Sequence, residues 1–95
     1  MDSQHKLIDN TDKKRYEYHI DGHIPNVEYV KPRKGEIFLI HTEVPSQMRG
    51  QGIASKLVED VLKDIERQNL ILTPICPFTV WYISQNPQWK RLIKE

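Results

Sequence analysis

The sequence has one cysteine, Cys76, in 95 residues. A lone thiol closes no intramolecular disulfide, so the chain does not read as a secreted, bridge-held scaffold. Long apolar runs are missing as well. None is longer than Ile37-Phe38-Leu39-Ile40, which has the length of a buried strand and falls far short of the roughly 20 residues of a membrane helix. No secretory core region is present either, and these absences point to the cytoplasm. Charge of one sign is also lacking. Against 14 basic residues stand 13 acidic ones, leaving a net charge of +1, too little to draw the whole molecule to nucleic acid or an anionic membrane. Any phosphate recognition must then be local. His5, His19 and His23 are scattered without metal-ligand spacing and no second cysteine can join them, so no metal is expected.

What remains fits one domain spanning residues 1–95, since a chain of this length buries one core and little more. The first half reads as a strand meander. Apolar stretches at Lys6 to Ile8, Arg15 to Ile20, Ile24 to Val30 and Glu36 to Thr42 are separated by Asp9 to Asp12, Asp21-Gly22 and Arg33-Lys34-Gly35. Asp21-Gly22 is the strongest hairpin signal, and Gly35 supplies the positive φ of a second tight turn. The period changes at residue 50. Ile53, Leu57, Val58, Val61, Leu62 and Ile65 recur at helical spacing, with Lys56, Glu59, Asp60, Lys63, Asp64 and Glu66 on the other face, predicting an amphipathic helix of about four turns that ends at Gln68-Asn69. Leu70 to Thr73 reads as a buried strand stopped by Pro74 and Pro77. Phe78 to Ser84 fits strand or helix by composition; Pro77 at a first turn favours a short helix, followed by a break at Asn86-Pro87 and a terminal segment from Gln88 to Lys94 that packs Trp89, Leu92 and Ile93. The order predicts an α+β fold, a mostly antiparallel twisted sheet flanked by one long helix and one or two short ones.

The segment that carries chemistry joins the fourth strand to the long helix: Val44-Pro45-Ser46-Gln47-Met48-Arg49-Gly50-Gln51-Gly52-Ile53-Ala54. Two glycines two apart at a helix start let several amides converge on one anion, where the helix dipole is positive. A pyrophosphate suits that geometry, with Arg49 as a charged donor and Ala54 keeping the first turn thin. The plainer reading is a tight strand-to-helix turn. The segment lacks the third glycine and downstream acid of a dinucleotide fingerprint, and the Gly-Lys-Ser/Thr ending of a nucleotide-triphosphate loop.

Arg49-x-x-Gly52-x-Ala54 resembles the Q/R-x-x-G-x-G/A signature of GNAT acetyltransferases. With His41-Thr42-Glu43-Val44-Pro45 and Pro74-Ile75-Cys76-Pro77-Phe78, nearly the whole chain is similar to a compact, roughly hundred-residue GNAT-like family. The resemblance implies a GNAT-like fold and acetyl-CoA as cosubstrate, its pyrophosphate bound by Val44 and by Gln47 through Ala54. Where relatives carry His-Pro-Glu-Tyr this chain has Asn86-Pro87-Gln88-Trp89, so no role of that His or Tyr passes to this chain. Larger members also have two acceptor-lining helices where this chain has only Asp9 to Lys13. An open acceptor site is implied, suited to a protein or peptide amine, a polyamine, or an acceptor held partly by another subunit.

Acetyl transfer needs a base for the incoming ammonium and an acid for the CoA thiolate. His41 and Glu43, two apart at a strand end, share a sheet face beside the expected thioester, with His41 the base or a backbone-satisfied histidine, and Glu43 a base acting through water or a solvated carboxylate. The family fold puts Cys76 near the acetyl group, as a nucleophile or as a small buried hydrophobe. Tyr82 occupies the general-acid position implied by the resemblance, though packing with Phe78, Trp81 and Ile83 explains it too. Asn86 either bonds the pantetheine arm or ends a helix. Lys13-Lys14-Arg15 and Lys31, Arg33 and Lys34 read as solvated strand ends, or as contacts for the 3′-phosphate of CoA or an acidic substrate. The leading function is an acetyl-CoA dependent N-acetyltransferase, monomeric or weakly dimeric, with no nucleic-acid or membrane partner. The alternatives are a non-catalytic acyl-CoA binding or sensing module, and an interaction domain presenting Tyr16, Tyr18 and Tyr29.

Overall fold

Tight turns reverse the first half of the chain, and their residues explain how. In the computed structural model, which describes residues 5–93, β1 (Ile8–Asn10), β2 (Arg15–Glu17), β3 (Asn26–Val30) and β4 (Glu36–Glu43) form an antiparallel meander. At the β2–β3 tip Asp21 and Gly22 both take positive φ, 50° and 81°. Ile20 and His23 exchange backbone hydrogen bonds of 2.9 and 2.8 Å across them. This is the two-residue geometry that matches strand twist, as Asp-Gly predicts. Strand β1 lies later than the apolar pattern indicates. Asp9 and Asn10, which read as turn residues, have cross-sheet partners: Tyr29 Oη donates to Asp9 at 2.6 Å and Asn10 Nδ2 to Glu17 at 3.0 Å.

Helix α1 (Ile53–Arg67) comes next, burying Leu57, Val58, Val61, Leu62 and Ile65. Asn69 ends it in the left-handed region at φ 58°. The Leu70 amide then reaches the Ile65 carbonyl and the Asn69 amide that of Glu66, the paired bonds of a Schellman stop. Strand β5 (Ile71–Pro74) pairs with β4 in parallel and completes a sheet in sequence order. Helix α2 (Pro77–Gln85) opens on Pro77, and a 3-10 turn at Pro87–Leu92 closes the fold with Trp89 and Leu92 buried. Of the expected terminal segment, Lys94 lies outside the described residues. The α+β reading, a mostly antiparallel sheet flanked by one long helix and shorter helical elements, matches this architecture.

Both helices pack on one sheet face, against Val27, Tyr29, Ile37, Leu39 and Leu72. Tyr16 and Tyr18 are fully buried and Tyr29 nearly so, which overturns the reading of these tyrosines as a partner surface. Their period-2 placement turns them inward. Each hydroxyl is then satisfied by a carboxylate: Tyr16 donates to Asp64 at 2.8 Å and Tyr18 to Asp60 at 2.5 Å. Burial, reinforced by those carboxylates, pushes both phenols well above their ordinary range.

On the opposite face Glu17 is buried and accepts hydrogen bonds from Asn10, from Arg15 at 2.6 Å and from His19 at 2.8 Å. Burial alone would raise its pKa, but His19, Arg15 and Asn10 outweigh it and hold the carboxyl at about 2. A folded pKa below the unfolded one stabilises above the unfolded value and is lost as pH falls through the folded one. Stability in chemical unfolding is therefore expected to decline between about pH 5 and pH 2. Glu17→Gln should flatten that limb and lower stability at pH 7 by about 1–3 kcal/mol, and an unchanged limb in the variant would refute the assignment.

Candidate functional site at the end of β4

Strand β4 runs past its neighbour β5. Pairing with β5 stops at Leu39↔Pro74, where Pro74 has no N–H to offer, and the amides of Ile75 and Cys76 both turn to the Leu39 carbonyl at 2.9 Å. On the other side, β3 pairs Tyr29 with Leu39 and Glu28 with His41, so Ile40 is an extra, bulged residue. A bulge bends its strand and re-aims the side chains beyond it. Past this level, among the described residues, the last residues of β4 have β3 as their sole strand partner, and a cleft opens between them and the start of α2.

Cross-strand pairing assigns the side chains to faces. Thr42 opposes buried Val27 on the helix-covered face, while His41 and Glu43 oppose Glu28 and Asn26 on the other, which carries no helix among the described residues. His41 and Glu43 do share a face, and His41 Nε2 lies 3.8 Å from Glu43 Oε1, both side chains more than half exposed. A cavity of about 530 Å³ at this strand end is lined by His41, Thr42, Glu43, Val44, Arg49, Ala54 and Phe78.

The loop to α1 forms a second cavity of about 230 Å³, sharing Val44, Arg49, Ala54 and Phe78 with the first. Gly50 and Gly52 both line it, with φ of 81° and 77°, and a Cβ on either would meet no atom within 4 Å. The first turn of α1 has neither a side-chain cap nor an acidic residue. Its amides therefore point, unsatisfied, into space that the glycines keep clear. Among the described residues no ion pair engages Arg49, leaving its guanidinium available to an anion. Met48 and Ile53 join these walls, so of the candidate loop residues Val44, Met48, Arg49, Gly50, Gly52, Ile53 and Ala54 line one cavity. Gln47 and Gln51 do not. They line a separate cavity with His5, Asp21 and His23: Gln47 belongs to the 3-10 turn at Ser46–Met48, and Gln51 Nε2 donates to the Gln47 carbonyl at 3.3 Å.

Cys76 stands just behind the first cavity as the N-terminal flanking residue of α2, buried, with its Sγ 3.2 Å from Thr42 Oγ1. Burial opposes ionisation of this thiol. The Thr42 hydroxyl and the amides of Thr79 and Phe78 outweigh burial and hold it below its ordinary value. Tyr82 is on the core side of α2, nine-tenths buried, its phenol raised by burial and by Glu59 and Asp60. Asn86 donates to the Tyr82 carbonyl at 3.0 Å as the helix ends. Neither Tyr82 nor Asn86 lines the two cavities. Of the basic groups, Lys31 to Lys34 lie between the end of β3 and the start of β4, roughly 23 Å of strand from the loop, whereas Arg15 pairs with Glu28, which pairs with His41, and so stands two strands across from His41 on the same sheet face.

Sequence reasoning missed Thr42, Ser55, Phe78 and Trp81 as wall residues. Thr42 had a signal, since alternation turns it away from His41 and Glu43 towards the strand that precedes Cys76. A glycine-bearing loop at a helix start, beneath a strand that parts from its parallel neighbour, is an arrangement with a known family. The family model described as GCN5-related N-acetyl-transferase matches residues 15–92. The chain belongs to that family. The solution structure of a GCN5-like protein from Staphylococcus aureus superposes with a TM-score of 0.72 at 19% identity, over 94% of this chain and 87% of that one. At that identity the likeness speaks for the GNAT-like fold alone. Among the described residues no group of three or more His, Cys, Asp or Glu side chains gathers for a metal, and no helix is long and apolar enough to cross a membrane.

Proposed function

We propose that this GNAT protein is an N-acetyltransferase that takes acetyl-CoA as donor and acts on an amine at the end of β4. The observation that carries the reading is the parting of β4 from β5 above a loop of two positive-φ glycines and an uncapped helix start. On this reading the pyrophosphate rests on amides from Gly50 to Ala54 with Arg49 beside it, and the pantetheine arm runs between β4 and α2 towards Thr42 and Cys76. The loop suits such a group because open space, not protein, lies where glycine Cβ atoms would be.

His41 accepts the proton that the incoming ammonium must lose, with Glu43 close enough to hold the resulting imidazolium. The uncovered sheet face gives a protein or peptide amine, or a polyamine, direct access. The protein acts on this reading as a monomer or weak homodimer in the cytoplasm, without nucleic acid, membrane or metal. A second reading, acyl-CoA binding without transfer, draws support from the short β1–β2 connection, which leaves little to orient an acceptor.

Calorimetric titration with acetyl-CoA, followed by CoA release in the presence of lysine, an N-terminal peptide and spermidine, tests both. Saturable binding with amine-dependent release is expected. Binding without release for any amine favours the sensing module, and no binding removes both. Cys76→Ala should leave affinity within about threefold, since it deletes one small buried group. An acetyl group found by intact mass on the wild type and missing from Cys76→Ala would route transfer through the thiol.

A further inference from the structure

We propose that Trp81, backed by Phe78, is a stacking shelf for the adenine ring of the donor; this rests on the reading of the phosphate loop above. Trp81 is 50% exposed, whereas the other tryptophan, Trp89, is 6% exposed and part of the core. Its helix neighbours Tyr82 and Ile83 are buried, so α2 is held without it. The indole instead leans on Phe78, three residues earlier on the same helix side, with ring centroids 5.4 Å apart and planes at 43°.

Both rings border the cavity that Gly50 and Gly52 line, and Phe78 alone of the two continues into the cavity that holds His41. The walls thus run in order from His41 through Phe78 to Trp81. A ligand with its pyrophosphate on the glycine loop and its thioester arm towards His41 has one end left, the adenosine. The wall remaining for that end is the half-exposed indole. Adenine offers a π-face, and aromatic side chains beside phosphate-binding grooves hold bases by stacking on them.

The test compares acetyl-CoA with S-acetyl-4′-phosphopantetheine, which keeps the thioester arm and one phosphate and lacks the adenosine with its two phosphates. Trp81→Ala is expected to weaken acetyl-CoA binding roughly 10-fold, the effect of one lost base stack, with S-acetyl-4′-phosphopantetheine bound as before. Trp81→Phe should recover most of the loss. Quenching of tryptophan emission by acetyl-CoA should vanish in Trp81→Ala, while buried Trp89 remains to report that the fold is intact. Equal weakening of both ligands would place Trp81 along the arm and overturn the shelf, as would unchanged acetyl-CoA binding. A wild type that binds neither ligand sinks the donor reading itself, and the shelf with it.

Discussion

Gly52→Val is expected to weaken acetyl-CoA binding about 100-fold or more, at a stability cost of about 1–3 kcal/mol. Two effects meet at this position. Gly52 sits at φ 77°, where a β-branched residue is strained, and that strain acts on the folded state whether or not ligand is present. The side chain itself would meet no protein atom, because the space at its Cβ is the cavity. A valine there fills the room in which a phosphate would approach the amides. Losing two charge-assisted bonds of about 1.5 kcal/mol each accounts for the 100-fold. Gly35 separates the two effects. It has φ 85°, equally open surroundings, and a place in the turn before β4 at the opposite end of that strand. Gly35→Val should therefore lose similar stability and keep its affinity for acetyl-CoA. Calorimetry and urea unfolding on both variants decide the matter. Parallel losses of binding and stability in Gly52→Val, matched by Gly35→Val, would mean that the glycine loop is only a turn.

The contrast between these glycines also marks what was legible in the sequence. Asp21-Gly22, Gly35 and the switch to helical spacing after residue 50 are local signals, and the hairpin, the second turn and α1 conform to them closely. The glycine loop was legible for the same reason, since its backbone is specified by residues within a few positions of one another. The cleft beside it was not. It opens because Ile40 bulges and Pro74 ends the β5 ladder at the same level, and neither event is specified within one segment. Helix α2 hid its working face. Phe78, Val80, Trp81, Tyr82 and Ile83 make it apolar nearly all round, so a 3.6-residue period cannot say which side meets the core. Trp81 then reads as a packing residue by its size, and its 50% exposure emerges only from the fold. The side-chain pairs across the core were invisible too. Asp60 and Asp64 lie on the polar stripe of α1, yet each accepts a tyrosine hydroxyl from β2 or the segment after it.

Those pairs carry the second large effect. The double variant Tyr16→Phe, Tyr18→Phe is expected to lose about 3 kcal/mol of unfolding free energy in urea, a large share of the roughly 5–15 kcal/mol of a small domain. Phenylalanine keeps both rings packed, so the loss reports the hydroxyls alone. Each removed bond went to a charged acceptor that is at most one-fifth exposed, so water replaces the donor poorly. Both carboxylates do keep other partners. Lys56 stands 3.6 Å from Asp60, and Arg67 and Gln68 bind Asp64, which places each loss near the low end of the 1.5–3 kcal/mol range for charged hydrogen bonds. Burial alone would raise the Asp64 pKa, but Arg67, Tyr16 and Gln68 lower it. A carboxyl with a lowered folded pKa stabilises above its unfolded value and ceases to as it protonates, so the deficit of the variant should shrink as acid protonates Asp64. The two bonds fasten the middle of α1 to the sheet and do not reach its first turn, Ile53 to Lys56, which the donor would touch. Well below its melting temperature the double variant should then bind acetyl-CoA as the wild type does. A double variant as stable as the wild type would mean that the apolar stripe of α1 holds the helix unaided, with the tyrosine hydroxyls merely avoiding a buried, unpaired group.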